Sequence, residues 1–566
     1  MFSNIYQHTF QHMDTLARGM LPFQVTDEAR PDYGGWFSDE YGFASPSHIG
    51  NARFIFILGS CYFSHVSGLY NSDDIFQRLL AAVRFQKRSL RASGLLDIPF
   101  TNFDSPPDTA FALQMICSAA YIAKSSGLDE ADVFLSELEP YVTKCVNAIL
   151  KDGFHTPNHR WVITSALLMA QEVFAVSDIS NKVNAYIREG IDINSDGFYS
   201  EKSLGGYNAV VNRAFIYIYE LTGKTEFLDA VIKNLNNMLY FIEPDGSVVT
   251  SVSLRQDRGI KKFPDKGLDS FYYAALKTGC GKLSAVINSI ISRGSFSEYL
   301  PYLFARHPEW AESKLSPEEP IGNCKVFMKE SGIWRIRRGK LSLTAAKGSS
   351  GAVSLKYGAI ELSAIRIFSP YFAGAKFIAS ELEETPDGIR IYYSSEFLLP
   401  QLPAYWMPTS QPVDFNELPY NTLEKRELKP RPKLYYTIDI KDLDNVFELH
   451  IRSLQGMNAV PFIAELLFVP NGRIESEAIS APMHADDTVL LKQGSFSFVN
   501  GCDSITVSGA SHSHRSNYTG VEGTGGLLRA VISDWTPVDR VITLSAGIWT
   551  EAEGECQSKK GPCSLG

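Results

Sequence analysis

From about Arg53 to about Arg306, apolar residues recur at three- and four-residue spacing, the pattern of helices that bury one face. The periodicity predicts helices over 54–70, 75–88, 109–125, 130–150, 160–176, 208–222, 226–241 and 270–278. Turn-forming clusters separate them, such as Thr101-Asn102-Phe103-Asp104-Ser105-Pro106-Pro107-Asp108 and Lys151-Asp152-Gly153. Short and longer connections alternate, as they do when helical hairpins pack side by side. That predicts a helical array or toroid whose longer, function-bearing loops share one end. No heptad persists, so a coiled coil is excluded.

Beyond Glu318-Glu319-Pro320-Ile321-Gly322 the apolar period shortens toward two. Short β-rich runs over 340–346, 359–368, 389–397, 433–440, 446–451, 464–469, 488–492, 504–507 and 540–544 are bounded by turn residues. A stack of antiparallel sheets is predicted. The fold class is therefore multidomain α+β, with a helical domain over 1–315 and a β domain over 316–566.

Composition narrows the partners. A chain of 566 residues exceeds one ordinary core, and 45% hydrophobic with 20% charged residues describes a folded protein. The formal net charge of −10 argues against nucleic acid, and an anionic polymer would need a local basic cleft. Aromatic side chains reach 12%, mostly for packing, although sugar-binding clefts use the same faces. No apolar run is long enough to span a membrane; the best candidate, 54–66, is broken by Gly59, Ser60, Ser64 and His65. The first residues, Met1-Phe2-Ser3-Asn4-Ile5-Tyr6-Gln7-His8, lack the features of a secretory signal, so a cytoplasmic location is expected. The eight Cys form no CxxC pair, and only Cys556 and Cys563 lie close together, which removes zinc-ribbon and redox readings. The sequence assigns no oligomeric state.

The chemistry is concentrated where predicted helices begin. Pro157-Asn158-His159-Arg160-Trp161 opens one, and Asp196-Gly197-Phe198-Tyr199-Ser200-Glu201 leads through Gly205-Gly206 to Tyr207-Asn208 at the start of the next, with Arg213 further along. Helix N-termini favour anions. A third segment, Ser251-Val252-Ser253-Leu254-Arg255-Gln256-Asp257-Arg258-Gly259 followed by Lys261-Lys262, brings four cations against one Asp. A further wall is Gly34-Gly35-Trp36-Phe37-Ser38-Asp39-Glu40-Tyr41. An amide, an imidazole, phenols and guanidinium groups suit β-elimination at a uronic acid. That reaction must neutralise a carboxylate, remove the weakly acidic proton beside it and protonate a departing oxygen. Taken singly, each segment also has a plainer reading: Asn158 as a helix cap, Tyr207 as a packed aromatic, the cationic bend as a solvated loop.

Asn-His at the start of one helix, then a DGxxxE segment leading to a Tyr about fifty residues later, resembles the heparinase II/III-like and alginate-lyase group of polysaccharide lyases. The resemblance implies an incomplete α/α toroid followed by a C-terminal antiparallel β-sandwich. It implies Asn158 and His159 as carboxylate neutralisers and Tyr207 as the catalytic phenol. It also implies a contribution from a β-domain His, for which His450 is chosen over His484, His512 and His514. Trp36, Arg160, Tyr199, Glu201, Arg213, Arg255 and Arg258 are assigned to binding the substrate, an anionic poly- or oligosaccharide. The group's spacing from Glu to Tyr is shorter than that from Glu201 to Tyr207, which leaves Tyr199 as an alternative phenol. No cofactor is required; a structural zinc or calcium ion is the one metal role left open, with His512 and His514 as zinc candidates. Two other readings stand beside the lyase. One is a glycoside hydrolase using two of Asp39, Asp104, Asp196, Glu201 and Asp257, with Asp108 as a further loop carboxylate. The other is a non-catalytic carbohydrate-binding protein.

Overall fold

The structure is a computed structural model describing residues 4–98, 100–370, 375–397, 404–412, 414, 424–430, 433–455, 458–510 and 522–550. The chain divides into two compact units, Met1–Ile321 and Gly322–Gly566.

Five helices form the inner layer of the first unit: Asn51–Tyr62, Pro106–Ser126, Pro157–Val173, Tyr207–Thr222 and Leu268–Thr278. Each is followed by an outer helix: Asp73–Arg88, Glu130–Ile149, Ser180–Arg188, Thr225–Met238 and Gly281–Ser292. Each inner helix packs on the next in chain order. Burial separates the two layers as their sequences require. In Asn51–Tyr62 every residue but Arg53 is buried, whereas Asp73–Arg88 keeps a charged outer stripe. Because every outer helix returns the chain, the inner helices all run the same way and their N-termini open at one end. Cross-contacts fit this alignment: Gln114 Nε2 donates to Ser165 Oγ at 2.5 Å, each at the same position along its helix, and Arg213 pairs with Asp269. This is the α/α toroid.

Four helices were not anticipated from the periodicity: Ile5–Met20, Ser180–Arg188, Gly281–Ser292 and Leu300–Arg306. The first carries a regular stripe of Ile5, Phe10, Met13, Ala17 and Met20, and Asn4 caps it by accepting the Tyr6 N–H at 2.9 Å. Leu300–Arg306 serves the opposite end of the inner layer. There Arg306 reaches Glu172 at 2.8 Å and Glu220 at 3.4 Å, both in the last turns of inner helices. Carboxylates at helix C-termini oppose the helix dipole, so the cation offsets two unfavourable placements together. Burial alone would raise the Glu220 carboxyl. Hydrogen bonds from His307 and Tyr273, with the charges of His307 and Lys277, outweigh it and hold the group down to about 2.

The second unit is an antiparallel β-sandwich. One sheet runs Cys324–Met328, Ile333–Arg338, Leu341–Ala346, Val353–Tyr357, Ile360–Ser369, Pro461–Phe468 and Leu528–Trp535, with Thr488–Leu490 added in parallel at its edge. The other runs Ala375–Thr385, Gly388–Phe397, Tyr435–Asp442, Val446–Gln455, Asp539–Ile548, Asp503–Ser508, Phe496–Asn500, Arg473–Glu475 and Ser480–Pro482. A two-residue pairing of Phe368 and Ser369 with Lys376 and Ala375 joins them at a corner. Alternate residues from both sheets, including Trp334, Leu343, Ile365, Ile391, Ile438 and Leu449, form a single apolar core.

Removing the Arg306 guanidinium leaves Glu172 and Glu220 facing helix C-termini without that cation. Arg306→Met is expected to destabilise the helical unit by about 3 kcal/mol, within the usual cost of breaking a buried pair. Urea unfolding followed by helical circular dichroism checks it; an unchanged midpoint overturns the assignment.

Candidate active site

Four polar segments meet where inner helices begin. Pro157 occupies the first position of its helix, where its missing N–H costs nothing. Asn158 therefore lies inside the first turn and is not the cap; it is fully buried. Its Nδ2 donates to Glu201 Oε2 at 2.8 Å and Oε1 at 3.0 Å, and to Thr156 Oγ1 at 3.3 Å. Glu201 arrives on the turn that begins at Asp196. Gly197 there has φ +92°, and a Cβ would sit 2.8 Å from the Lys233 carbonyl oxygen, so only glycine fits. Asn234 Nδ2 donates to the Gly197 carbonyl at 2.9 Å and ties the turn to the helix Thr225–Met238.

The cationic loop closes over this turn. Leu254 N–H donates to the Glu201 carbonyl at 3.1 Å, and Arg255 Nη1 pairs with Glu201 Oε1 at 3.0 Å. The same guanidinium lies 4.4 Å above the Tyr207 ring. Tyr207 is the first residue of its helix; its N–H donates to Ser203 Oγ at 3.0 Å and its phenol to Gln256 Oε1 at 3.3 Å. Asp257 fastens the two loops together by accepting from Ser203 Oγ and Ser253 Oγ. Asn158, Glu201, Arg255 and Tyr207 thus form one connected chain, with His159 beside it.

Electrostatics assigns the imidazoles a neutral state. Burial, then the charges of His155, Arg255 and His48, push His159 down to about 4 against the opposing pull of Asp108. Burial also lowers His48, whose Nδ1 lies 4.0 Å from Asp108 Oδ1. Phe111 stands between the rings, 4.8 Å from His48 and 6.0 Å from His159. Glu201 is shifted upward: burial outweighs Asn158 and Arg255. Asn158 Oδ1, His159 Nδ1 and His48 Nδ1 are buried without a hydrogen-bond partner. Unsatisfied polar atoms grouped this way mark a seat for polar groups of a ligand.

Other assigned residues are placed differently. Arg160 is buried and is held by Glu189 at 2.6 Å, the Gly190 carbonyl at 2.8 Å and Asp192 at 3.5 Å. Arg213 is buried, clamped on Asp269 at 2.8 and 3.0 Å with Tyr299 3.5 Å beneath it. Both of these assigned substrate-binding residues are paired with carboxylates of the same unit. Tyr199 is buried, donates to Asn212 Oδ1 at 2.7 Å, and burial holds its phenol well above the ordinary range. Trp36 is half-buried, its backbone N–H donating to Asn51 Oδ1 at 3.2 Å, and Arg258 is exposed in the turn after Arg255. His450 belongs to the second unit, on Val446–Gln455, where its Nε2 lies 2.5 Å from Asp539 Oδ1. His484 is exposed. His512 and His514 lie outside the described residues, and among the described residues no cluster of three metal-ligating side chains occurs. Of the hydrolase carboxylates, Asp257 is held by two serines, Glu201 by Asn158 and Arg255, and Asp39 and Asp104 are exposed. Asp196 lies in its turn, partly exposed. His48, Phe111, His155 and Gln256 were not anticipated. Ser47-His48-Ile49-Gly50, just ahead of an inner helix, repeats the helix-entrance signal seen at Asn158-His159.

The depressed His159 links stability to pH. Its folded value, about 4, lies below the unfolded 6.5, so between them the unfolded chain binds the extra proton. The stability contributed by the neutral ring is complete above pH 6.5 and is lost as pH falls toward 4. Against His159→Gln, the wild type is expected to lose about 3 kcal/mol of relative unfolding free energy across that window. Parallel urea titrations of both proteins at several pH values check this, and a constant difference overturns it.

No family model matches the sequence, and no curated protein matches it in sequence. Solved structures do match in fold. Heparinase III aligns with a TM-score of 0.52 at 10% identity, covering 88% of this chain and 76% of that one. A chondroitinase AC lyase, solved with oligosaccharides, aligns at 0.52 and 12% identity, covering 99% and 85%. A Paenibacillus xanthan lyase aligns at 0.55 and 9% identity; it covers 98% of this chain, which spans only 58% of that enzyme. Among the described residues no helix is long and apolar enough to cross a membrane. The chain has the fold of the polysaccharide lyases that join an α/α toroid to an antiparallel β-sandwich.

Proposed function

We propose that this chain is a polysaccharide lyase that cleaves a uronic acid-containing poly- or oligosaccharide by β-elimination, with Tyr207 as the proton-transfer group. A shared fold does not fix an activity, so the reading rests on the site. The observation that carries it is the position of Arg255, which pairs with a buried carboxylate at 3.0 Å while lying 4.4 Å over the Tyr207 ring. One cation thereby serves both an anion seat and the phenol.

The substrate carboxylate sits at the inner-helix N-termini against Arg255 and Asn158, which favour the negative charge that develops when the adjacent proton leaves. His159, neutral in the free protein, contributes a hydrogen bond to this seat. Tyr207 Oη, on the ring that the Arg255 guanidinium covers at 4.4 Å, takes the proton from the carbon next to the carboxylate. The electron pair of that C–H bond forms the new double bond, the C–O bond to the neighbouring sugar breaks, and the Tyr207 O–H returns its proton to the departing oxygen. Solved relatives of this fold carry oligosaccharide or chondroitin sulphate, and a uronate glycan of that broad class is the substrate we propose here.

Screening uronate polymers and oligomers for new ultraviolet absorbance tests the reaction, because elimination leaves a conjugated unsaturated uronate. Tyr207→Phe is expected to lower turnover about 10²–10⁴-fold with an unchanged circular dichroism spectrum. Near-full activity in that variant refutes the role of Tyr207, and new reducing ends without absorbance refute elimination in favour of hydrolysis.

A further inference from the structure

The donors best placed to hold a substrate carboxylate already hold one. Glu201 accepts from Asn158 Nδ2 with both oxygens, at 2.8 and 3.0 Å, and from Arg255 Nη1 at 3.0 Å. Thr156 Oγ1 takes a further contact from Asn158 Nδ2 at 3.3 Å, so the amide's donor side is fully used. What Asn158 has left is Oδ1, buried without a partner. An oxygen acceptor repels an incoming carboxylate. In this arrangement the free site is closed to an anion by its own glutamate.

We propose that Glu201 takes up one proton when a uronate binds, and that Asn158 turns its amide over in response. Protonated Glu201 donates its O–H to Asn158 Oδ1, giving the buried orphan its missing partner. The same rotation swings Nδ2 toward the substrate carboxylate, and Arg255 exchanges one carboxylate for the other. The site then holds one carboxylate charge against Arg255 where two would have stood, and every hydrogen bond runs from donor to acceptor. The proton comes from solvent; no other bond is made or broken.

The surroundings favour the exchange. Glu201 is 6% exposed, a poor place for a second negative charge. Burial already biases its carboxyl toward protonation, the charge of Asp192 adds to that bias, and only Asn158 and Arg255 resist it. From the helix Pro157–Val173 the titratable neighbour is His159. From the helix Tyr207–Thr222 it is Tyr207, and from the loop after residue 250 it is Arg255. His159 is the competing acceptor for the same proton, since an anion would draw its titration upward too.

This inference rests on the lyase reading, and binding separates the two. Calorimetric titration of Tyr207→Phe, which holds substrate without turnover, with hyaluronan, chondroitin and alginate tetrasaccharides in buffers of differing ionisation enthalpy measures the protons taken up. The expected result at neutral pH is close to one proton per bound tetrasaccharide, with affinity falling toward tenfold per pH unit as pH rises. Adding Glu201→Gln is expected to abolish both uptake and pH dependence, whereas adding His159→Gln leaves them. An infrared difference spectrum on binding is expected to show the carbonyl stretch of a protonated carboxyl group, a readout independent of whether the Glu201 variant folds. Binding without proton uptake, or uptake lost with His159→Gln and kept with Glu201→Gln, overturns the proposal. If no tetrasaccharide binds, the anion seat itself is wrong and both readings fall. If binding and proton uptake hold but wild type produces no unsaturated uronate, the lyase reading falls alone.

Discussion

The common direction of the inner helices is the constraint on which the rest of the first unit depends. A chain folded as successive helical hairpins cannot point one inner helix against its neighbours, because each outer helix carries it back to the same end. The partial positive charges of several N-termini therefore add at one opening, and their negative counterparts add at the other. The protein answers each end with side chains. Asn158, His159 and Tyr207 occupy first-turn positions at the positive end, while Arg306 joins Glu172 and Glu220 at the negative end. A formal net charge of −10 is compatible with an anion seat for this reason: the attraction is generated locally by aligned backbone dipoles and one well-placed guanidinium.

Within that end, loop architecture does the aiming. The turn at Gly197 delivers Glu201, and Asp257 locks the loop carrying Arg255 onto the segment that precedes Tyr207. The result is a linear relay, Asn158 to Glu201 to Arg255 to Tyr207, drawn from segments about a hundred residues apart in sequence. Neutral His159 beside the relay changes the division of labour expected from the sequence. The fixed cation is Arg255, and the imidazole is a neutral hydrogen-bonding group.

The helical periodicity was legible because inner helices are apolar on nearly every face and outer ones on a single stripe. The antiparallel sandwich was legible through runs such as 360–369, where alternate residues enter the core. Short or weakly patterned helices such as Ser180–Arg188, with only Val183 and Tyr186 buried, leave little trace in a sequence. At the site, residue type and proximity to a helix start brought forward Asn158, His159 and Tyr207, because first-turn positions are local in sequence. What could not be read was direction. Arg160 adjoins His159 yet is spent on Glu189 and Asp192, and Arg213 lies within two turns of Tyr207 yet is spent on Asp269. Those partners are set by tertiary neighbours many residues away.

The four arginines suggest how a functional cation differs from a structural one. Arg213 meets both oxygens of Asp269 and a backbone carbonyl, Arg306 meets two carboxylates, and Arg160 meets two carboxylates and a carbonyl. In each, the opposite charge matches or exceeds what the guanidinium brings. Arg255 has one carboxylate, and that carboxylate is itself shared with Asn158 and biased toward neutrality. Its remaining face rests on the Tyr207 ring. If Glu201 becomes neutral, Arg255 is left with a full positive charge, an aromatic neighbour and no anion. That deficit, more than the count of cations in the loop, is what a uronate would fill.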